Sequence, residues 1–519
     1  AWSALRADLF AEALAVAQLA LAENPDDDMT DEWLYLLANS QRQLLQTERA
    51  AATYADLLTR FPGSRFADAS RYETAVAYYQ AGHFEAAIQA ASQIRRVQDR
   101  RVDVNWLLGE SYAALQRSAE AVQHYRLVVR EAGHTERLRD ALFRLAHHLQ
   151  QQGSYREASQ YYLQLVADFP SAEVAPQALF ASGYALAQAN AYEEAVRDWH
   201  QLGEQYPESA LAEEAWYQKA MGEIRLQRNR EALASLAELQ RRFPDSRYQA
   251  DRLYWQGMLH FEAERYAEAE SFLRQALPVA SREELRREAQ FQLGLVLQRL
   301  DRPDESATLL HALLASPLRG KFPPVLLEWL ASQHGANEDF VQMGAAAALL
   351  AGHEEPVWQQ AGHALMGRAL AAQGDTPGAE RSWRSALSLA TRTTYAGEAA
   401  LRLGLLLLER KELAEADSFL RQVSELAVGR EADAVRSRAL VGLGKVAFAD
   451  ERTADAVRLF LSVGILYNDP DVVPESLYLA ATSFDLLGQP DEREKVVAEL
   501  RARYPESHWT VQARDKWAL

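Results

Sequence analysis

Few side chains in this 519-residue sequence are spaced for bond chemistry. His147 and His148 are adjacent, so on a helix they diverge by about 100° and share a metal ion poorly. No His-Glu-x-x-His motif occurs. Asp26, Asp27, Asp28 and Asp31 crowd one turn. A calcium loop alternates its ligands, bends at a glycine and closes on a bidentate glutamate, whereas these acids suit the positive end of a helix. Gly442-Leu-Gly444-Lys445 lacks a glycine at Ala439 and a hydroxyl at Val446, so it is not a phosphate loop. With no cysteine in the chain, a thiolate zinc site, a thiol nucleophile and a disulfide framework are excluded. No nucleophile, base and orienting group stand together. The expectation is a protein without catalysis, metal or cofactor.

Aromatic residues are spaced for recognition instead. They stand at Tyr35, Tyr72, Trp106, Phe143, Phe180, Tyr217, Tyr254 and Phe291, and again at Tyr478. Two roles fit: a ladder that grips an extended or helical peptide, or packing between neighbouring units. Glu328, Ala364, Leu401 and Val441 interrupt the series, which predicts a different face in the later part of the chain. Arg95, Arg96, Arg100 and Arg101 form the densest basic cluster, and a solvated turn accounts for them.

The elements that position these residues follow from a period. A small residue recurs about every 37 positions, at Ala38, Ala75, Gly109, Ala146, Gly183, Ala220, Gly257, Gly294, Ala331, Gly367, Gly404, Gly444 and Ala481, with Ala1 in phase before them. A second small residue follows twelve positions later, from Ala13 and Ala50 to Ala456, with Ser306, Met343 and Arg493 as exceptions. Such a period means stacked repeats rather than one globule. Within one unit, Leu142, Leu145, Ala146 and Leu149 lie on one helical face. Gly153 supplies a left-handed C-cap, Tyr155, Ala158, Tyr162 and Leu165 mark a second helix, and Pro170 closes the unit. A lone hairpin cannot bury both apolar stripes; stacked hairpins can. The small anchors then mark helix crossings, where leucine would overpack by roughly 1–3 kcal/mol.

The anchor pair, the preceding Leu or Trp (Leu34, Leu179, Trp216, Leu253, Leu440, Leu477) and the closing proline together resemble the tetratricopeptide repeat family. The resemblance runs through a truncated first unit, thirteen full units and a terminal helix. It implies an all-α fold: a right-handed α-solenoid superhelix of helix-turn-helix repeats, with first helices lining a concave inner face and a C-terminal capping helix. The aromatic ladder would face that groove. Relatives that clamp a C-terminal carboxylate use Lys and Asn across it; here Asn39 has no matching lysine. Glu110-Ser111 is similar to the Glu-Ser of superhelical lytic transglycosylases, but the motif around it is missing. The turns at 60–72, 205–217, 242–254 and 503–517 share aromatic-Pro-x-Ser, in which proline stops one helix and serine is expected to cap the next. This wording is similar to repeats of bacterial envelope proteins, such as the outer-membrane assembly lipoprotein and the Tol-Pal-associated periplasmic protein.

The expected organisation is an N-terminal array over residues 1–316, a degenerate repeat or joint over 317–356, a second array over 357–507 and a capping helix over 508–519. A shortened unit near 97–102 and a lengthened one near 428–436 are expected to differ in their turns. A net charge of -18 argues against nucleic acid, and no stretch reaches 18 apolar residues. The partners expected are therefore other proteins or peptides, as subunits of a periplasmic or outer-membrane-associated complex. Because the chain opens at an anchor position, an upstream segment is expected: a targeting signal, a lipid anchor or further repeats. Two alternatives stay open, a cytoplasmic peptide-binding regulator and a non-catalytic arm of a larger cell-wall enzyme system.

Overall fold

The computed structural model describes residues 2–25, 27–94, 100–389, 391–429 and 431–517. The anchor Ala1, the acid Asp26 and the basic residues Arg95 and Arg96 lie outside the described residues, as do residues 97–99 of the shortened link near 97–102. Twenty-nine α-helices and no strand occur among the described residues. The chain divides into two compact units, Ala1–Arg252 and Leu253–Leu519. Each is an α-solenoid of stacked helical hairpins.

The hairpins have a common grammar. A first helix such as Ala175–Gln188 is followed by a second such as Tyr192–Gln205. Seven positions after each anchor the backbone turns left-handed. Gly82, Gly153, Gly374 and Gly488 fill this position in four hairpins, but Leu45, Gln116, Asn190, Gln227 and six other non-glycine residues adopt a φ of about 60°. The next amide then closes a six-residue ring back onto the helix, as in Gln46 N to Gln41 O at 2.8 Å and Arg117 N to Tyr112 O at 2.9 Å. Glycine is thus one solution to this turn, and cooperative packing holds the other side chains there against a local cost of about 1–2 kcal/mol each.

Each first anchor faces the residue sixteen positions later on its own second helix. A Cβ on Gly183 would come within 2.6 Å of Trp199, one on Gly109 within 2.8 Å of Tyr125, and one on Gly294 within 2.6 Å of Leu310. Where the anchor is alanine it is fully buried, as at Ala38, Ala146 and Ala220. Both tryptophans at the facing position, Trp199 and Trp383, stand opposite glycine. The small residues are therefore crossing points: glycine stands opposite both tryptophans, and alanine opposite the buried Tyr54 and Tyr162.

Irregularities are absorbed by helix length. The helix Ala432–Ala449 has 18 residues where Arg101–Ala114 has 14, so the lengthened unit gains a helical turn rather than a longer loop. Residues 317–356 form a 3-10 turn, Pro317–Lys321, and two helices, Pro324–Ala336 and Phe340–Ala351, around buried Leu330, Met343, Ala347 and Leu350. The last helix, His508–Trp517, lays Trp509 and Trp517 on Tyr478 at ring-centroid distances of 5.2 and 5.7 Å, with Ala513 buried beneath it.

Candidate functional site

Residues that read as reactive in isolation are consumed structurally. Glu110 accepts hydrogen bonds from Tyr125 Oη at 2.6 Å and Tyr79 Oη at 3.4 Å and pairs with Arg144 at 3.3 Å, while Ser111 Oγ donates to Leu107 O at 2.7 Å. Asn39 donates to Tyr35 O in its own helix. His148 is buried beside Ser118, and burial pushes its pKa down; His147 is exposed and meets Gln151. Arg100 lies over the Tyr72 ring, and Arg101 pairs with Glu131. Asp31 accepts from Ser64 Oγ at 2.5 Å. Gly442 and Gly444 lie inside a helix, and Lys445 pairs with Glu475. Among the described residues no three His, Asp or Glu side chains are arranged to hold a metal, and no helix is long and apolar enough to cross a membrane.

The aromatic ladder occupies one register on the first helices. Tyr35, Tyr72, Trp106, Phe143, Phe180, Tyr217 and Tyr254 are half-buried, and Phe291 is buried. Five of the eight receive a side chain from a residue at or just before the start of the next first helix. Phe66 stacks on Tyr35 at 4.8 Å and Tyr248 on Tyr217 at 4.2 Å; Phe322 meets Phe291 edge-on at 5.1 Å. Arginines do the same work over Tyr72 and Trp106, with Arg100 and Arg137 at 5.0 and 4.5 Å. An ion pair flanks the stacked covers: Glu32 with Arg65, Glu214 with Arg247, and Glu288 with Lys321. The Ser-Arg-aromatic wording of the turns is the male half of this clamp. The serines act differently from expectation: Ser64, Ser209 and Ser246 accept the amide two residues on, at Phe66, Leu211 and Tyr248. They cap a short turn ahead of the helix, because the two clamp residues intervene; only Ser507 stands directly ahead of its helix.

The interruption of the ladder also has a physical cause. Tyr395 occupies the covering register above Ala364 and packs into the core containing it. Its hydroxyl donates to the carboxylate of Glu328, two hairpins back. A small residue at 364 makes room for a ring supplied by the following hairpin.

The stretch around Phe143 is left open. At Phe143 the covering residue is Val174, too short to close over the ring, and a cavity of about 500 Å³ results. Trp106 and Phe143 form its aromatic walls, Arg139 and Arg144 supply positive charge, and Asp140, Glu173 and Gln177 supply acceptors. Three first helices build it: Arg101–Ala114, Glu136–Gln151 and Ala175–Gln188. Their seats are rigid. Trp106 is held between Arg137 and the buried Tyr125, Phe143 rests edge-on against buried Tyr162 at 5.6 Å, and Arg144 is aimed by Glu110. Glu173 and Gln177 are exposed at the rim. The signal for this opening was present in the sequence, as valine in a register that carries Phe66, Arg137, Leu211, Tyr248, Leu285, Phe322 and Trp509 opposite other aromatics of the series, but it reads only once the covering register is known.

Rows of crossing anchors, left-handed turns and clamped first helices define a helical repeat scaffold. Tetratricopeptide repeat profiles match residues 72–134, 143–210, 217–284 and 365–423, with a second profile of the same description over 34–64. The chain belongs to the tetratricopeptide repeat family, whose repeats form protein–protein interaction scaffolds. No curated protein matches it. Similar solved structures include a tetratricopeptide repeat protein from Parabacteroides merdae (14% identity, 52% of this chain and 99% of that one, TM-score 0.31). YrrB, described as a TPR protein with an unusual peptide-binding site, is 20% identical over 38% of this chain and 96% of its own, TM-score 0.32. The APC/C hetero-tetramer Cut9-Hcn1 is 14% identical over 99% and 94%, TM-score 0.34. The family assignment rests on the repeat profiles and the hairpin geometry.

Proposed function

We propose that the chain is a non-catalytic scaffold that holds an extended segment of a partner protein in the open stretch between Trp106 and Gln177. The observation that carries this reading is the 500 Å³ cavity where the inter-repeat cover is lost. Two aromatic walls supply apolar contact area, and side chains of both charge signs can meet a polypeptide's alternating groups. The rest of the ladder, from Tyr35 to Phe291, then serves mainly to fix the spacing of first helices. A bacterial envelope setting, periplasmic or outer-membrane-associated, is supported by the aromatic-Pro-x-Ser turns and by the lack of cysteine, which suits an oxidising compartment.

The test is affinity capture from envelope extract with the wild-type chain, with Glu173→Arg and with Gln177→Arg. Both positions are exposed, so the melting temperature is expected to hold while a specific partner is lost. Equal capture by all three chains, each with an unchanged melting temperature, refutes the assignment of the groove.

A further inference from the structure

We propose a second, separate docking pocket, on the second-helix face of the unit Leu253–Leu519, which takes an apolar side chain with a basic residue beside it from a partner protein. It goes beyond the first-helix groove and does not depend on it. A cavity of about 510 Å³ lies between the helices Tyr266–Val279 and Pro303–Ala312. Leu277, Leu293, Leu297 and Leu309 form its floor, with Ala312 at one edge. Leu293 and Leu297 belong to the buried core, whereas Leu277 and Leu309 remain half-buried.

The cavity exists for two local reasons. The helix Pro303–Ala312 has 10 residues, one turn fewer than the 14 of Tyr266–Val279, so the flank of Leu277 loses its neighbour. Ala312 also stands in the register that carries Gln164, Gln201, Glu238, Gln275 and Gln422 in other hairpins. Those long side chains have the reach to lie across the space that Ala312 leaves open. An apolar recess with a polar rim is the form of a side-chain pocket.

The rim chooses the charge of the guest. Arg274 and Arg302 are each paired with both Glu270 and Glu305, at 2.6–3.2 Å, a neutral set of two cations and two anions. Asp304 stands apart. Its carboxylate accepts only amide donors, Asn337 Nδ2 at 2.6 Å and Gln333 Nε2 at 3.0 Å, and these hold its pKa below the usual carboxylate range. Among the described residues it has no cationic partner, so the pocket mouth carries one negative charge. The occupant that complements this is an apolar side chain, aromatic or leucine-like, with an adjacent Lys or Arg.

The probes are acetyl-Phe-Lys-amide and acetyl-Phe-Glu-amide, titrated into the full chain labelled at leucine methyls and read by NMR. The Leu277 and Leu309 methyls are expected to shift saturably, with the lysine peptide roughly threefold tighter, as one exposed charge pair allows. Ala312→Gln is expected to abolish the shifts at unchanged melting temperature, and Asp304→Asn to remove the preference between peptides while retaining binding. The proposal is overturned if Ala312→Gln responds as the wild type does, if the peptides bind equally to the wild type, or if neither shifts these methyls below about 10 mM.

Discussion

Replacing Gly183 by alanine tests the packing logic at its tightest point. The new Cβ would lie 2.6 Å from Trp199 Nε1 and 2.8 Å from Cδ1, well inside van der Waals contact. Trp199 is itself 2% exposed, so the ring has nowhere to retreat without moving the hairpin. Overpacking of this kind costs about 1–3 kcal/mol. Helix propensity offsets it by about 1 kcal/mol, because alanine replaces glycine inside a helix. The net expectation is destabilisation of up to about 2 kcal/mol. Gly344 supplies the control: it is also helical, and its Cβ would meet only the Ala369 methyl at an ordinary 3.7 Å. Gly344→Ala should therefore stabilise by about 1 kcal/mol. A second arm uses Trp199→Leu, which recreates the alanine–leucine pairing seen at Ala220 and Leu236. The double variant should recover at least about 1 kcal/mol of the coupling. Long repeat arrays need not unfold in one step, so the assay is hydrogen exchange read on peptides from 175–205, beside urea unfolding. If Gly183→Ala protects those peptides as Gly344→Ala protects its own, the anchors are not crossing points and the reasoning fails.

Other outcomes follow from the same geometry. Leu45 is 83% exposed with a φ of 59°, so Leu45→Gly should raise stability by about 1 kcal/mol, while Gly82→Ala should lower it similarly; thermal unfolding distinguishes them. Asp198 is buried beside Ser182, which donates to it at 2.5 Å, and desolvation lifts its pKa to about 6. The native state thus holds this proton more tightly than the unfolded chain, so its contribution is fully present below pH 4 and is lost as the pH climbs to about 6. Asp198→Asn should gain up to about 3 kcal/mol over wild type at pH 7 and nothing at pH 3.5, read as the difference between paired urea titrations. Tyr248→Ala removes the ring stacked on Tyr217 and should cost about 0.5–1.5 kcal/mol beyond its lost area; a Tyr217→Ala, Tyr248→Ala cycle that shows no coupling would deny the clamp.

The repeat architecture was legible because its signals are redundant. Thirteen anchors in phase, eleven of them followed by a second small residue, leave no other helical register, and the structure builds thirteen full hairpins on them. Less legible was whatever depends on a pair of registers at once. The aromatic column could be read from Tyr35 to Phe291, but whether a ring is covered is decided 31 positions later, at Phe66 or Val174. Left-handed turns were visible only where glycine marked them, as at Gly153; Gln116 and Gln227 adopt the same backbone without the cue. The extra residues near Arg436 went into a helix because their composition is helix-compatible and the neighbouring first helix could be covered along the added turn. Glu110 and His148 looked like chemistry in the sequence and became packing groups, since burial brought them hydrogen-bonding neighbours from adjacent hairpins.

The central claim is that the opening between Trp106 and Gln177 receives a partner segment. Its most direct measurement is a photo-crosslinking side chain placed at Gln177, compared with one at Gln164 on the second helix Tyr155–Asp168, in cells expressing the chain. A single protein joined through Gln177, by one short stretch of its sequence, and absent from Gln164 is the predicted result. Identical products from the two positions, or products at Gln177 that persist unchanged when Arg144 is reversed to glutamate, would contradict it.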